Sequence, residues 1–194
     1  MAAKQALKRD IRSRHPHFRE AVLADARITA RLRGDTSEFA PGAGAVLQVL
    51  RLILSSDAFL AQVAYRAKAR MQALGIPFLP RVAHWVAMTT AQVSIGDPVV
   101  IQPGVYIVHG QVVADGLVEI QSGAVLFPFV TLGLIGPDIV GPTIGPGAQI
   151  GSGARVLGRV RVGADARIGA NAVVLEDVPD GATAVGAPAR VVSA

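Results

Sequence analysis

The sequence has no cysteine, only 5% aromatic and 17% charged residues, in a chain of 194. Without thiols there are no disulfides, no cysteine nucleophile, no thiolate zinc site and no iron-sulfur cluster, because a methionine thioether cannot replace a thiolate. Scarce aromatics in a chain that is 51% hydrophobic leave Val, Ile, Leu and Ala to build the core. Such side chains suit a narrow, regular interior, and this hydrophobicity argues against a largely disordered chain. The length fits one compact domain with an appendage.

Charge is unevenly spread. Residues 1–40 hold nine Lys/Arg against five Asp/Glu, residues 41–90 five against one, and residues 91–194 five against eight. Lys4, Lys8, Arg9, Arg12, Arg14 and Arg19 alternate with acids and lack interleaved aromatics. That pattern reads as a solvated or partner-binding helical arm, and no nucleic-acid partner is expected. Residues 1–17 carry charge throughout and contain no apolar segment of a secretory signal. The uncharged run from Ile120 to Pro137 is interrupted by Gly123, Pro128, Gly133 and Gly136, so no membrane span is expected. A soluble cytoplasmic protein follows as the expectation.

The dominant feature is a period of six. Aliphatic residues recur at Ile95, Ile101, Ile107 and Val113, then after a one-residue slip at Ile120, Leu126 and Leu132, and again from Ile144 through Ile150, Val156, Val162 and Ile168 to Val174. Glycine often follows, and small or aliphatic residues such as Val99, Ala124, Ala148 and Ala166 occupy the fifth position. Neither the 3.6-residue helix nor plain strand alternation has this period. It predicts a parallel β-helix of hexapeptide repeats, each hexad forming one side of a triangular coil. Between Leu132 and Ile144 the midway position is Asp138, unsuited to the interior, so residues 133–143 read as a loop ejected from the wall. Residues 180–194 read as an extended closing tail.

Before residue 91 the pattern is helical: 18–33, 45–54, 57–74 capped by Asp57, and about 81–90, with a hinge over 34–44. The expected organisation is a helical N-terminal region, 1–90, with its basic arm, followed by the β-helix domain, 91–194.

From about Ala45 onward the chain resembles the serine acetyltransferase branch of the hexapeptide-repeat acyltransferases. The resemblance rests on His84-Trp85, Gln92-Val-Ser-Ile95, Gly104-Val-Tyr-Ile-Val-His109, Val130-Thr-Leu-Gly133, Gly151-Ser-Gly-Ala-Arg-Val-Leu-Gly158, Ile168-Gly-Ala-Asn-Ala-Val-Val174 and Gly186-Ala-Pro-Ala-Arg190. It implies a left-handed parallel β-helix, a homotrimer, with a hexamer as the alternative, acetyl-CoA as acyl donor in a groove between prisms, and His109 as general base on an acceptor hydroxyl. On the family pattern the coenzyme side comprises Gly133, Leu134 with its amide facing the acyl group, Ser152, Arg167, Ala170, Pro188 and Arg190. Arg155, Arg159, Arg161 and Arg167 recur near strand ends as candidate phosphate donors, or as an ordinary charged wall. Direct transfer calls for no metal.

The departures lie on the acceptor side. Where the family places an orienting aspartate fifteen residues before the histidine, this chain has Ser94; where an acid precedes the histidine, it has Val108. Val140-Gly141-Pro142 replaces an arginine-histidine-proline run that helps bind serine. Charged carboxylate and ammonium groups need partners, so the expected acceptor is another hydroxyl compound. Ser94, Val108, Asp115, Glu119 and Gly141 are its candidate neighbours. A non-catalytic trimeric scaffold and a serine O-acetyltransferase of cysteine biosynthesis with a divergent pocket are the alternatives. The chain ends soon after Arg190, and no complex with cysteine synthase is expected.

Overall fold

The computed structural model describes residues 2–35, 38–39 and 42–192. Five helices, α1 (Ala2–Arg14), α2 (Phe18–Arg33), α3 (Ala43–Ser55), α4 (Asp57–Ala73) and α5 (Leu79–Ala91), precede the strands. Part of the expected hinge, residues 36, 37, 40 and 41, lies outside the described residues. Gly34 closes α2 in the left-handed region, φ 80°, where a residue lacking Cβ is unstrained. The N-cap of α4 is Ser56 rather than Asp57: its side chain accepts from the Phe59 N–H at 3.2 Å.

The strands are β1 (Ser94–Ile95), β2 (Val100–Ile101), β3 (Tyr106–Ile107), β4 (Val113–Ala114), β5 (Leu117–Ile120), β6 (Val125–Leu126), β7 (Thr131–Gly133), β8 (Val140–Ile144), β9 (Gln149–Ile150), β10 (Arg155–Leu157), β11 (Arg161–Val162), β12 (Arg167–Ile168), β13 (Val173–Val174), β14 (Thr183–Gly186) and β15 (Ala189–Val192). They form a left-handed parallel β-helix of about five coils with three faces. The first face is β1-β4-β7-β10-β13, the second β2-β5-β8-β11, and the third β3-β6-β9-β12-β14, edged by antiparallel β15. Ladder residues from Ile95 to Val174 and the fifth-position residues fill the prism, nearly all without solvent exposure.

Three details depart from the sequence reading. Val113 is 41% exposed while Ala114 is 1% exposed and turned inward, so the slip lies between Ile107 and Ala114, in the corner that carries His109. The excursion from the wall is shorter than 133–143: Gly133 ends β7, and β8 rejoins the second face at Val140, paired with Leu117. The closing tail is a hairpin, β14 extending the third face and β15 folding back on it.

In this ladder the N–H groups of one coil donate to carbonyls of the next, as Ser94 N does to Val112 O at 2.9 Å. The carbonyls of the first coil are therefore left without strand partners, and α4 supplies them. Gln62 donates to Val105 O, Tyr65 to Val99 O, Arg66 to Gln102 O and Ile101 O, and Lys68 to Ile95 O. Asp25 of α2 accepts from the Gly104 and Val105 N–H groups and pairs with Arg66. A solenoid end needs such a cap to satisfy its backbone and to block edge-to-edge association.

Candidate active site

His109 lies in the corner leading from the third face to the first and is exposed. The strand register stacks the same corner of each later coil on it. Ile107, Leu126, Ile150, Ile168 and Ala184 are successive partners, so two residues further along each chain come His109, Pro128, Ser152, Ala170 and Gly186. Backbone bonds lock the column: Gly153 N–H donates to Pro128 O and Asn171 N–H to Ser152 O, at 2.9 and 2.8 Å. Pro188 follows Gly186 in the hairpin turn, and Arg190 pairs across it with Val185. The edge thus gathers His109, Ser152, Ala170, Pro188 and Arg190 along one line. Val108, half-buried, enters the same corner.

The His109 corner is pressed against the end of α5. Gln111 N–H donates to Ala91 O at 2.8 Å, and a Cβ on Gly110 would fall 1.8 Å from that oxygen. Only glycine fits there.

Gly133 and Leu134 stand at the opposite edge of the first face, where the chain leaves for the second. Gly133 is buried, and the Leu134 side chain covers Gly116. Among the described residues the Leu134 N–H donates to no protein acceptor. Within one protomer this amide and His109 therefore flank the first face from its two edges.

The arginine series is dispersed by the coil geometry. Arg155 lies on the first face and donates to Gly153 O, beside the His109 edge. Arg167 begins β12, at the far side of the third face. Arg159 pairs with Asp138 and Arg161 with Asp180. A hexad period sends every sixth residue to a new face, so these arginines do not make one groove.

Acceptor-side candidates separate as well. Glu119 is engaged by Arg14 of α1 at 2.5 Å. Gly141 is buried in β8, and a Cβ there would meet Val118 Cγ2 at 2.6 Å, so neither of these two presents a free polar group. Ser94 and Asp115 share a cleft of ≈ 520 Å³ on the first face, roofed by Lys68 of α4 and by Arg81, His84 and Trp85 of α5. Helical spacing put these roof residues on α4 and α5, but it did not show that both helices bend over the first coil. His109 does not line this cleft.

Lys68 sits almost fully buried behind it, donating to Ile95 O at 2.6 Å and pairing with Asp97 at 3.1 Å. Burial pushes the Asp97 pKa up, but the hydrogen bond from Gln72 and the Lys68 charge outweigh it and hold the carboxyl below its ordinary range. Burial, and then Lys68, lower the His84 pKa, leaving a neutral imidazole at neutral pH. Among the described residues no group of three His, Asp or Glu side chains is placed to hold a metal ion, and no single helix is long and apolar enough to cross a membrane.

Residues 141–176 match the family model described as bacterial transferase hexapeptide (six repeats). A soybean serine acetyltransferase apoenzyme structure is similar at 33% identity and a TM-score of 0.76, over 93% of this chain and 71% of the soybean chain. The chain belongs to the serine acetyltransferase-like hexapeptide-repeat acyltransferases. This acyltransferase is also similar to the soybean enzyme complexed with serine, at 31% identity, TM-score 0.75, and the same coverage of both chains. A serine acetyltransferase in complex with CoA matches at 28% identity and TM-score 0.75, over 95% of this chain and 73% of that one. No curated protein matches this acyltransferase in a comparison of sequences.

Proposed function

We propose that this protein transfers an acyl group, acetyl in the first instance, from coenzyme A to a hydroxyl of an acceptor other than free serine. The observation that carries the proposal is the edge column: His109 stands at one end of a line of stacked corners continuing through Ser152 and Ala170 to Pro188 and Arg190. An extended pantetheine arm lying along that line would bring its thioester to the imidazole. Likeness to a serine acetyltransferase bound to CoA supports the same donor.

The chemistry is a direct transfer. The His109 imidazole takes the acceptor's hydroxyl proton as the oxygen attacks the thioester carbon. Charge on the tetrahedral oxyanion is met by a backbone N–H, for which Leu134 is the candidate. The intermediate collapses with cleavage of the C–S bond, and the imidazolium returns the proton to the departing thiolate. Because His109 and Leu134 occupy opposite edges of one face, a complete site calls for a neighbouring prism, and the homotrimer implied by the family resemblance would supply it in a closed assembly. With a CoA thioester as donor, the cytoplasm is the compartment proposed for the reaction.

Ser94, Val108 and Gly141 stand where the family contacts serine, and none carries a charge to hold a zwitterion in that manner. The test is thiol release from acetyl-CoA across L-serine, sugars and other hydroxyl compounds, with wild type and His109→Ala. Turnover of a non-serine alcohol that falls about 10²–10⁴-fold in the variant is expected. Serine as the best acceptor overturns the acceptor assignment; no turnover together with no binding of acetyl-CoA favours a scaffold.

A further inference from the structure

The cleft on the first face has a charge pattern that the donor edge does not explain. Lys68 and Asp97 engage each other, and His84 is neutral. Arg81 and Asp115 remain: among the described residues neither makes an ion pair or a side-chain hydrogen bond, and they do not pair with each other although both line the same cavity. The Trp85 ring, 71% exposed, stands beside them. Both residues are exposed and reached by water, and two separated, opposite charges lining one cleft suit a molecule that carries both signs itself. A cavity of ≈ 520 Å³ lies within the range of small-molecule sites and is several times the volume of free serine. An exposed indole next to a charged group is a recurring way to hold a ring or an apolar extension.

We infer that this cleft is the acceptor subsite and that it takes a zwitterionic hydroxyl compound bulkier than serine, with Arg81 holding the carboxylate, Asp115 the ammonium and Trp85 the apolar part. This rests on the acyltransferase reading above, since the hydroxyl must meet His109. The cleft lies on the first face beneath α5, and His109 lies outside its lining, so the imidazole comes from the neighbouring prism. The charges that the family carries in its loop are replaced here by one from α5 and one from the corner after β4. The neutral His84 imidazole, able to donate and accept, is a partner for the acceptor's hydroxyl or amide.

The experiment separates binding from turnover. Binding of β-phenylserine, its N-acetyl derivative, its carboxamide and L-serine is measured calorimetrically with the His109→Ala protein, in which the donor chemistry is silenced. Further variants in the same background are Arg81→Met, Asp115→Asn and Trp85→Ala, each checked for folding by circular dichroism. β-Phenylserine is expected to bind at least about tenfold more tightly than serine. Arg81→Met should weaken it about tenfold while leaving the carboxamide unchanged, Asp115→Asn should do so while leaving the N-acetyl derivative unchanged, and Trp85→Ala should remove the advantage over serine. Equal binding of the zwitterion and its two blocked forms, indifference to all three substitutions in folded protein, or no binding of any probe overturns the inference. Thiol release by the corresponding variants with His109 intact distinguishes the two readings. His109-dependent turnover insensitive to Arg81 and Asp115 removes the subsite and leaves the acyltransferase. Charge-dependent binding without turnover does the reverse.

Discussion

Arg66 of α4 donates to both carboxylate oxygens of Asp25 on α2, at 2.9 and 3.2 Å, and both side chains are almost completely buried. The pair is anchored at both ends to the first coil. Asp25 accepts from Gly104 and Val105, while Arg66 donates to the Ile101 and Gln102 carbonyls at the end of β2. Removing either partner leaves a buried charge and orphaned backbone groups, so Arg66→Met or Asp25→Asn should cost about 3–5 kcal/mol of stability in a urea titration. The double variant should recover little, because the backbone groups of the first coil lose their partners together. A loss under about 1 kcal/mol in the single variants would mean that water replaces the pair.

Gly110 is the second sensitive point. A methyl group there would collide with Ala91 O, forcing α5 away from the His109 corner. Gly110→Ala should destabilise by about 2–3 kcal/mol, as strained overpacking does, and should abolish His109-dependent turnover in protein that remains folded. Wild-type stability and rate in this variant would show that the corner rearranges freely.

The slip in the hexad ladder has a mutational signature. Ile120 is fully buried whereas Val113 faces out. Ile120→Ala should cost about 2–5 kcal/mol, and Val113→Thr less than about 0.5 kcal/mol. Chemical denaturation of both variants checks the assignment, and a large loss at Val113 would return the slip to the position after it.

His15, half-buried beside Tyr65 on α4, has its pKa lowered from 6.5 to about 4, first by burial and then by Arg66, Lys68 and Arg14. The folded protein therefore disfavours protonated His15. Stability from this group is fully present above pH 6.5 and is lost as pH falls toward 4. With partial solvent screening the loss should be on the order of 1–2 kcal/mol. His15→Gln should flatten this part of the stability-pH curve, and an unchanged curve would remove His15 as its source.

The ion pair between Arg159 and Asp138 joins the ejected loop to a corner, and both side chains are largely in solvent. Arg159→Ala should leave the melting temperature unchanged, since exposed pairs contribute little. A clear drop would show that the loop is anchored here.

The period of six determined the prism, and it did so because a solenoid interior accepts one inward residue per side. Ile101, Ile120, Ile150 and Ile168 could therefore be assigned without coordinates. His109 was singled out for a different reason, its place in the motif-bearing stretch from Gly104, and the structure adds its position at an edge of the prism. Val113 was misplaced because a valine fits the ladder as well as Ala114 does, and only the register with Ser94 shows which one turns inward.

Whatever depends on which hexads share an edge was decided by the tertiary structure. A residue number gives a position along the chain, whereas an edge is set by coil register and by where the corners turn. That is why Arg155, Arg159, Arg161 and Arg167, similar in sequence, disperse around the prism, and why Ser152 and Ala170 align with His109. The cleft holding Arg81, Trp85 and Asp115 joins helix to solenoid across residues distant in sequence. No local pattern encodes that contact, because it arises when α4 caps the open carbonyls of the first coil and α5 follows it over the first face.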